Sequence, residues 1–249
     1  MITAILNCYR RPQNLQPQIQ AILKQTVAPT EIWVWKNYHP DQENFDWSSF
    51  NMYARQAGIR VIESNYNWKY CGRFAAACLV DTEYTAIFDD DTICGPEWFE
   101  NCLTCMKNQE GIYGGVGVNL HTNSTYQPNT RFGWVSGNLE PVEVDLVGHA
   151  WFFKSEYIKY MWMEKPTWAN GEDMHFSAMA QIHGGIKTYV PPHPPSYQAC
   201  WSSLYGVQLG VDEVASSAVR NHQQFYKERN EVVQRLVGLG WKTVNQRGT

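Results

Sequence analysis

The sequence predicts an α/β fold, a mostly parallel sheet flanked by helices. Three observations support this. Short apolar runs recur through the first 110 residues: ITAILN (2–7), EIWVWKN (31–37), IRVIES (59–64) and YTAIFDD (84–90). Segments with helical spacing or a helix-opening proline alternate with them. The runs are also too apolar for strands with one wet face, so the sheet is expected to be covered on both sides.

Taken in order, residues 2–7 read as a buried strand. Pro12 then opens a helix over about 13–25, with Leu15, Ile19, Ile22 and Leu23 on one face, and Ala28-Pro29-Thr30 breaks it. Residues 31–37 form a second strand, and 47–57 a helix ended by Gly58. A third strand (59–64), a helix (72–80), a fourth strand (84–90) and a helix opened near Pro96 (96–108) follow. The second half is less regular. GIYGGVGVNLH (111–121) suggests a glycine-rich strand, and 122–140 is polar and turn-rich. Residues 142–161 read as strand, turn and helix, and 169–185 as a loop leading into a helix that starts near Glu172. IKTYV is a short strand, PPHPP (191–195) an extended segment, and 212–238 an amphipathic C-terminal helix.

Composition narrows the function classes. The net charge is −4, so no global basic field draws the chain to nucleic acid or anionic lipid. Aromatics make up 14%, with 11 Trp and 14 Tyr, which suits stacking on flat or ring-shaped ligands and equally an aromatic core. There is no run of 18 apolar residues, and the opening MITAILNCYRRP lacks a cationic lead, so the expected location is cytoplasmic. Seven scattered cysteines fit free thiols. Cys102 and Cys105 form a C-x-x-C with no second pair to complete a zinc site. Asn123-Ser124-Thr125 has the form of a glycosylation sequon, which has no role in a cytosolic protein.

Two acidic stretches carry the chemistry. Asp89, Asp90 and Asp91 follow the fourth strand directly, at the sheet edge where α/β folds bind ligands. Three adjacent carboxylates repel one another unless a cation sits among them or water solvates them. The hard divalent ions Mn²⁺ and Mg²⁺ bind through such carboxylates together with substrate phosphates. Asp89 and Asp91 share a side if the strand pleat continues. A solvated acidic turn is the alternative. In the second stretch, NGEDMHF (170–176), Glu172 and Asp173 open a helix. They either cap it or supply a general base.

With ILNCYRRPQNL, IWVWKN, FDDDTI and LVGHAWFFKSEYI in place, the chain resembles glycosyltransferases of the GT-A fold. The opening is similar to family 2, the other three segments to the exostosin-type enzymes, and the likeness covers about residues 2–190. It implies one domain over 1–249, with a nucleotide-sugar-binding half (1–110) and an acceptor-side half (111–249). It further implies contacts to the base and ribose from Asn7, Tyr9, Arg10 and Asn37, and to uracil and diphosphate from Asn65 and Arg73. Arginines at positions 10 and 73 would also offset diphosphate charge. Asp89 is expected at the ribose or donor sugar and at the metal, Asp91 at the metal, and Asp90 at either. His193 is the expected metal histidine, with His222 a second candidate and His149 on the acceptor side. Asp173 is the expected base, with Glu172 positioning the acceptor. Trp151, Trp168 and Trp201 are candidates for stacking or for core.

The expected function is therefore transfer of a sugar from a nucleotide sugar, a UDP-sugar first, to an acceptor hydroxyl with Mn²⁺ or Mg²⁺ as cofactor. The acceptor is a glycan, protein, lipid or hydroxymethylated DNA base, and the chemistry is inverting if Asp173 is the base. A sugar nucleotidyltransferase shares the alternating fold, but the loop after the first strand, NCYRRPQN, lacks the glycines such enzymes use. A non-catalytic carbohydrate-binding relative would lack a working base.

Overall fold

The computed structural model describes residues 1–167, 170–210 and 222–247. The apolar runs form the strands β1 (Ile2–Cys8), β2 (Glu31–Lys36), β3 (Arg60–Glu63) and β4 (Tyr84–Phe88). Between and after them lie α1 (Leu15–Leu23), α2 (Trp47–Gln56), α3 (Gly72–Ala77) and α4 (Trp98–Asn108). The second half supplies β5 (Ile112–Leu120), β6 (Asn129–Gly133), β7 (Val142–Val144), β8 (Leu146–Lys154) and β9 (Thr188–Val190). Its helices are α5 (Glu172–Gly184), α6 (Gly206–Gly210), α7 (His222–Gly238) and α8 (Val244–Arg247).

These strands form one nine-stranded sheet in the order β3-β2-β1-β4-β8-β5-β9-β7, with β6 paired to β5. The β1–β2, β1–β4 and β2–β3 pairs are parallel, as is β5–β9. β8 runs antiparallel to both β4 and β5, β6 to β5, and β7 to β9. Strands β1 to β5 and β9 therefore point one way, and β6, β7 and β8 the other. The sheet is mostly parallel, as the alternating elements predict, and it runs unbroken from the first half into the second.

Both faces are covered. Alternate residues of each strand serve opposite faces: Ala4, Leu6 and Cys8 of β1 pack with Phe88 and Phe152 under α1, α2 and α4. Ile5, Ile87, Trp151 and Phe153 pack on the other face with Phe74 and Ala77 of α3 and Phe176 of α5. A third cluster joins Met174, Ala178 and Met179 of α5 to Val232, Val233 and Leu236 of α7. Helix α5 is thus held between the sheet and the C-terminal helix.

Several expected boundaries move. The turn Pro12–Asn14 is 3-10, so α1 begins at Leu15. The expected helix after β8 is a 3-10 segment, Ser155–Trp162. The polar stretch 122–140 contributes the edge strand β6, whose polar residues face solvent at the sheet margin. Of the expected helix over 212–238, the part from His222 is observed, and 212–221 lies outside the described residues, as does Trp168. Cys102 and Cys105 are free thiols on α4, and burial pushes both up. Among the described residues no helix is long and apolar enough to cross a membrane.

Candidate active site

The carboxyl ends of β1, β2 and β4 open into a cleft of about 470 Å³, within the range of small-molecule sites. Its opposite wall is built from β5, β8, the first turn of α5 and one face of α7. Of the residues expected at the donor, Asn7, Tyr9, Arg10, Asn37, Arg73 and the three aspartates all line it.

The acidic triplet divides by direction. Ligand atoms of Asp89, Asp91 and His149 lie within 4.8 Å of one another. His149 reaches this position through a bulge. On β5, Gly114 and Val116 are two residues apart, whereas their partners on β8, Trp151 and Gly148, are three apart. The extra residue kinks β8, and His149 takes a left-handed backbone with φ +66. Such backbone in a non-glycine residue costs on the order of 1–3 kcal/mol and persists only where its surroundings enforce it. Here the His149 carbonyl accepts the Asp89 amide at 3.0 Å and the Thr92 hydroxyl at 3.1 Å. Burial pushes the His149 imidazole down, toward the neutral form that ligates metals. Burial, with Asp91 and Asp90 adding to it, pushes the Asp89 carboxyl up while Arg73 opposes. A cation between these groups would relieve that crowding. Two carboxylates and an imidazole suit Mn²⁺, while Mg²⁺ prefers oxygen alone.

Asp90 lines the cleft too, but its polar atoms are engaged by the loop after β1. Its carboxylate takes Arg11 Nη1 at 2.8 Å and the backbone amide of Arg10 at 3.2 Å, and its carbonyl accepts Asn14 Nδ2 at 2.8 Å. It ties the loop after β1 to the end of β4. The neighbouring Arg11, which sequence reading passed over, also lies 3.6 Å from Asp91. The guanidinium of Arg10 is instead engaged with Asp41, at 2.9 Å through Nε and 2.8 Å through Nη2.

At the far end of the cleft, Asn37 is 1% exposed and bonded to the loop beside it. It donates to Asn67 Oδ1 (3.0 Å) and the Lys69 carbonyl (3.2 Å), and accepts the Trp68 amide (2.9 Å). These bonds hold the 67–69 loop at the cleft. Asn65 is exposed and lies outside the cleft lining, and Asn67, two residues on, lines it instead. Asn67 Nδ2 donates to the Tyr9 hydroxyl at 3.0 Å, so the two set one another's orientation.

The second acidic pair faces the first. Gly171, with φ +93, turns the chain into α5, and a Cβ there would meet Val232 at 2.9 Å. Glu172 Oε1 accepts Arg73 Nη2 at 2.9 Å, and the same nitrogen lies 3.1 Å from Asp89. Arg73 is 3% exposed, and its guanidinium lies 5.0 Å from the Trp151 ring. It is the cation shared by both acidic stretches. Burial pushes the Glu172 carboxyl up, Asp173 adds to that, and Arg73 opposes. Asp173 accepts the Met174 amide at 2.8 Å through Oδ1 and Arg229 Nη2 at 2.7 Å through Oδ2. A Cβ built on Gly148 would have one neighbour within 4 Å, Asp173 Oδ2 at 3.7 Å. Glycine therefore leaves open the space directly beside this carboxylate.

His193 corrects the expected metal histidine. It is fully buried, its Nδ1 donating to the Pro191 carbonyl at 2.8 Å and its Nε2 accepting the Ser202 amide at 3.1 Å. Both nitrogens are spent on a turn of the C-terminal half, and His149 stands at the carboxylates instead. His222 lines the outer cleft on α7. Trp151 is a buried core residue that borders the cleft, and Trp201 donates its Nε1 to the Pro194 carbonyl at 2.9 Å.

Residues 3–165, well over half of the chain, match the sequence model of Glycosyl transferase family 2. The chain belongs to that family. No curated protein matches it at the sequence level. Among solved structures, S. aureus TarS is similar with a TM-score of 0.51 and 13% identity, over 78% of this chain and 37% of that one. A mannosyltransferase from Pyrobaculum calidifontis, solved with GDP-Man and Mn²⁺, is similar with a TM-score of 0.54 and 16% identity. That similarity spans 77% of this chain and 54% of the mannosyltransferase. This family 2 chain therefore spans about a third to a half of the length of those proteins, and at such identities the likeness shows the fold. The family 2 match ends before Glu172, Asp173 and α7.

Proposed function

We propose that this protein is a Mn²⁺-dependent glycosyltransferase acting on a nucleotide sugar. The observation that carries the reading is the meeting, in one cleft, of a candidate metal triad (Asp89, Asp91, His149) with a second carboxylate, Asp173, beside an open glycine. Asp89, Asp91 and His149 would hold the ion. When bound, it would neutralise the negative charge that develops on the departing diphosphate. Tyr9, Asn7 and Asn67 face the nucleoside end of the cleft, and Arg73 sets the donor-side carboxylates.

Asp173 is the general base. It accepts the proton of the acceptor hydroxyl as that oxygen attacks the anomeric carbon, and the space over Gly148 admits the hydroxyl. This assignment implies inversion at the anomeric carbon. Phe225 and Tyr226 line the outer cleft and supply rings on which a glycan acceptor packs. UDP is the donor base first expected, and the mannosyltransferase of similar fold holds GDP-Man. Both belong in the test.

Thermal shift and calorimetry with UDP-glucose, UDP-N-acetylglucosamine and GDP-mannose, with and without Mn²⁺, test the reading. One of them should stabilise the protein only with the metal and be hydrolysed slowly, with hydrolysis lost in Asp173→Asn. A folded protein that binds no nucleotide sugar in the presence of Mn²⁺ would overturn it. Formation of a nucleotide sugar from sugar phosphate and nucleoside triphosphate would identify a nucleotidyltransferase.

A further inference from the structure

We infer that Arg229 of helix α7 is the positioning residue for Asp173. The inference rests on the assignment of Asp173 as base and adds to it the group that orients that carboxylate.

The geometry is specific. Arg229 Nη2 donates to Asp173 Oδ2 at 2.7 Å, and Arg229 is 5% exposed. Its guanidinium lies over the Tyr126 ring, 4.0 Å from the centroid, and 5.4 Å from the Phe225 centroid, so both rings contact the cation. The flanking residues fix the same region. Glu228 Oε2 accepts Asn170 Nδ2 at 2.7 Å, two residues before Glu172. Asn230 Oδ1 accepts the Tyr126 amide at 2.8 Å. Three consecutive residues of α7 thus hold the entry to α5, the Asp173 carboxylate and the ring beneath the guanidinium. One turn later, Val232, Val233 and Leu236 pack on α5.

Stability alone does not explain this arrangement. A buried ion pair gains little over an apolar pair of the same volume, because both ions lose their water. What Arg229 does supply is a fixed partner for the Asp173 carboxylate. Arg73 is already shared between Glu172 and Asp89. With Oδ1 on the helix amide and Oδ2 on Arg229, the carboxylate has a single orientation, and Oδ2 borders the space over Gly148. Asp173 and Arg229 both lie beyond the family-matched residues.

The test measures Mn²⁺-dependent hydrolysis of UDP-glucose, UDP-N-acetylglucosamine and GDP-mannose by the full chain. Arg229→Met should lower kcat by at least about tenfold with KM little changed, since the base acts in the chemical step. Arg229→Lys should recover much of the loss, and in an Asp173→Asn background Arg229→Met should add nothing further. Losses that multiply in the double variant, or an Arg229→Met enzyme with unchanged kcat, would overturn the inference. If Asp173→Asn alone loses no activity, or no donor is turned over, the reading of Asp173 as base has failed instead. The positioning claim is then decided by a crystal structure of Arg229→Met: a turned Asp173 carboxylate upholds it, and an unmoved one refutes it.

Discussion

The carbonyl of His149 accepts the backbone amide of Asp89 at 3.0 Å, so the candidate metal histidine and the first aspartate are locked through their main chains. The bulge in β8 that places His149 there leaves it in a left-handed conformation. A residue kept at that cost beside two carboxylates should trade stability for binding. His149→Gly should leave unfolding free energy unchanged or raise it by up to about 1 kcal/mol, because glycine accepts positive φ. The same variant should weaken Mn²⁺ binding by at least about tenfold. Urea unfolding and titration of Mn²⁺ followed by electron paramagnetic resonance measure the two effects. Equal Mn²⁺ affinity in wild type and variant would remove His149 from the site.

Arg73 neutralises Asp89 and Glu172 from full burial. Arg73→Met would leave two carboxylates facing each other without a cation. It should cost on the order of 3–5 kcal/mol, the usual result of removing one partner of a buried pair. Adding Glu172→Gln should recover part of the loss. Chemical denaturation of the single and double variants decides the matter, and a single variant as stable as wild type would contradict it.

Gly148 leaves space where an acceptor hydroxyl must enter. Gly148→Ala puts its new methyl 3.7 Å from Asp173 Oδ2, an ordinary contact, and its backbone needs no positive φ. Stability should change by less than about 1 kcal/mol. Donor binding should persist while transfer to the acceptor falls relative to hydrolysis by water, the smaller nucleophile. The product ratio by mass spectrometry reads this directly, and an unchanged ratio would place the acceptor elsewhere.

His193 carries a pH signature away from the cleft. Burial holds its imidazole down at about 4, below its ordinary 6.5. The folded state therefore resists a proton that the unfolded chain takes up. Its contribution is complete above pH 6.5 and declines as pH falls toward 4. His193→Gln should remove about 2 kcal/mol of the stability difference between pH 7.5 and pH 5. Mn²⁺ binding should be the same in this variant as in wild type. Unfolding curves at the two pH values, and one metal titration, suffice.

Much of this site is legible in the chain itself. Apolar runs alternating with helices place the ends of β1, β2 and β4 at one edge, because parallel strands joined by helical crossovers leave their carboxyl ends together. The acidic triplet and Glu172–Asp173 both line the cleft, a meeting that the packing of α5 on the sheet sets. The Gly-His step interrupting the apolar run of β8 is the one sequence sign of the bulge.

The neighbour that each charge meets was decided only by tertiary structure. Arg10 and Arg11 are adjacent in sequence, yet one turns to Asp41 and the other to Asp90. Asn67 rather than Asn65 reaches the cleft, because the loop after β3 is held from inside by Asn37. Arg73 meets Glu172 across 99 residues, and Arg229 meets Asp173 across 56. Strand and helix periods are local properties, written in the order of apolar and polar residues. Pairing between distant charges depends on how α5 and α7 pack against the sheet and each other, and only the folded core sets that.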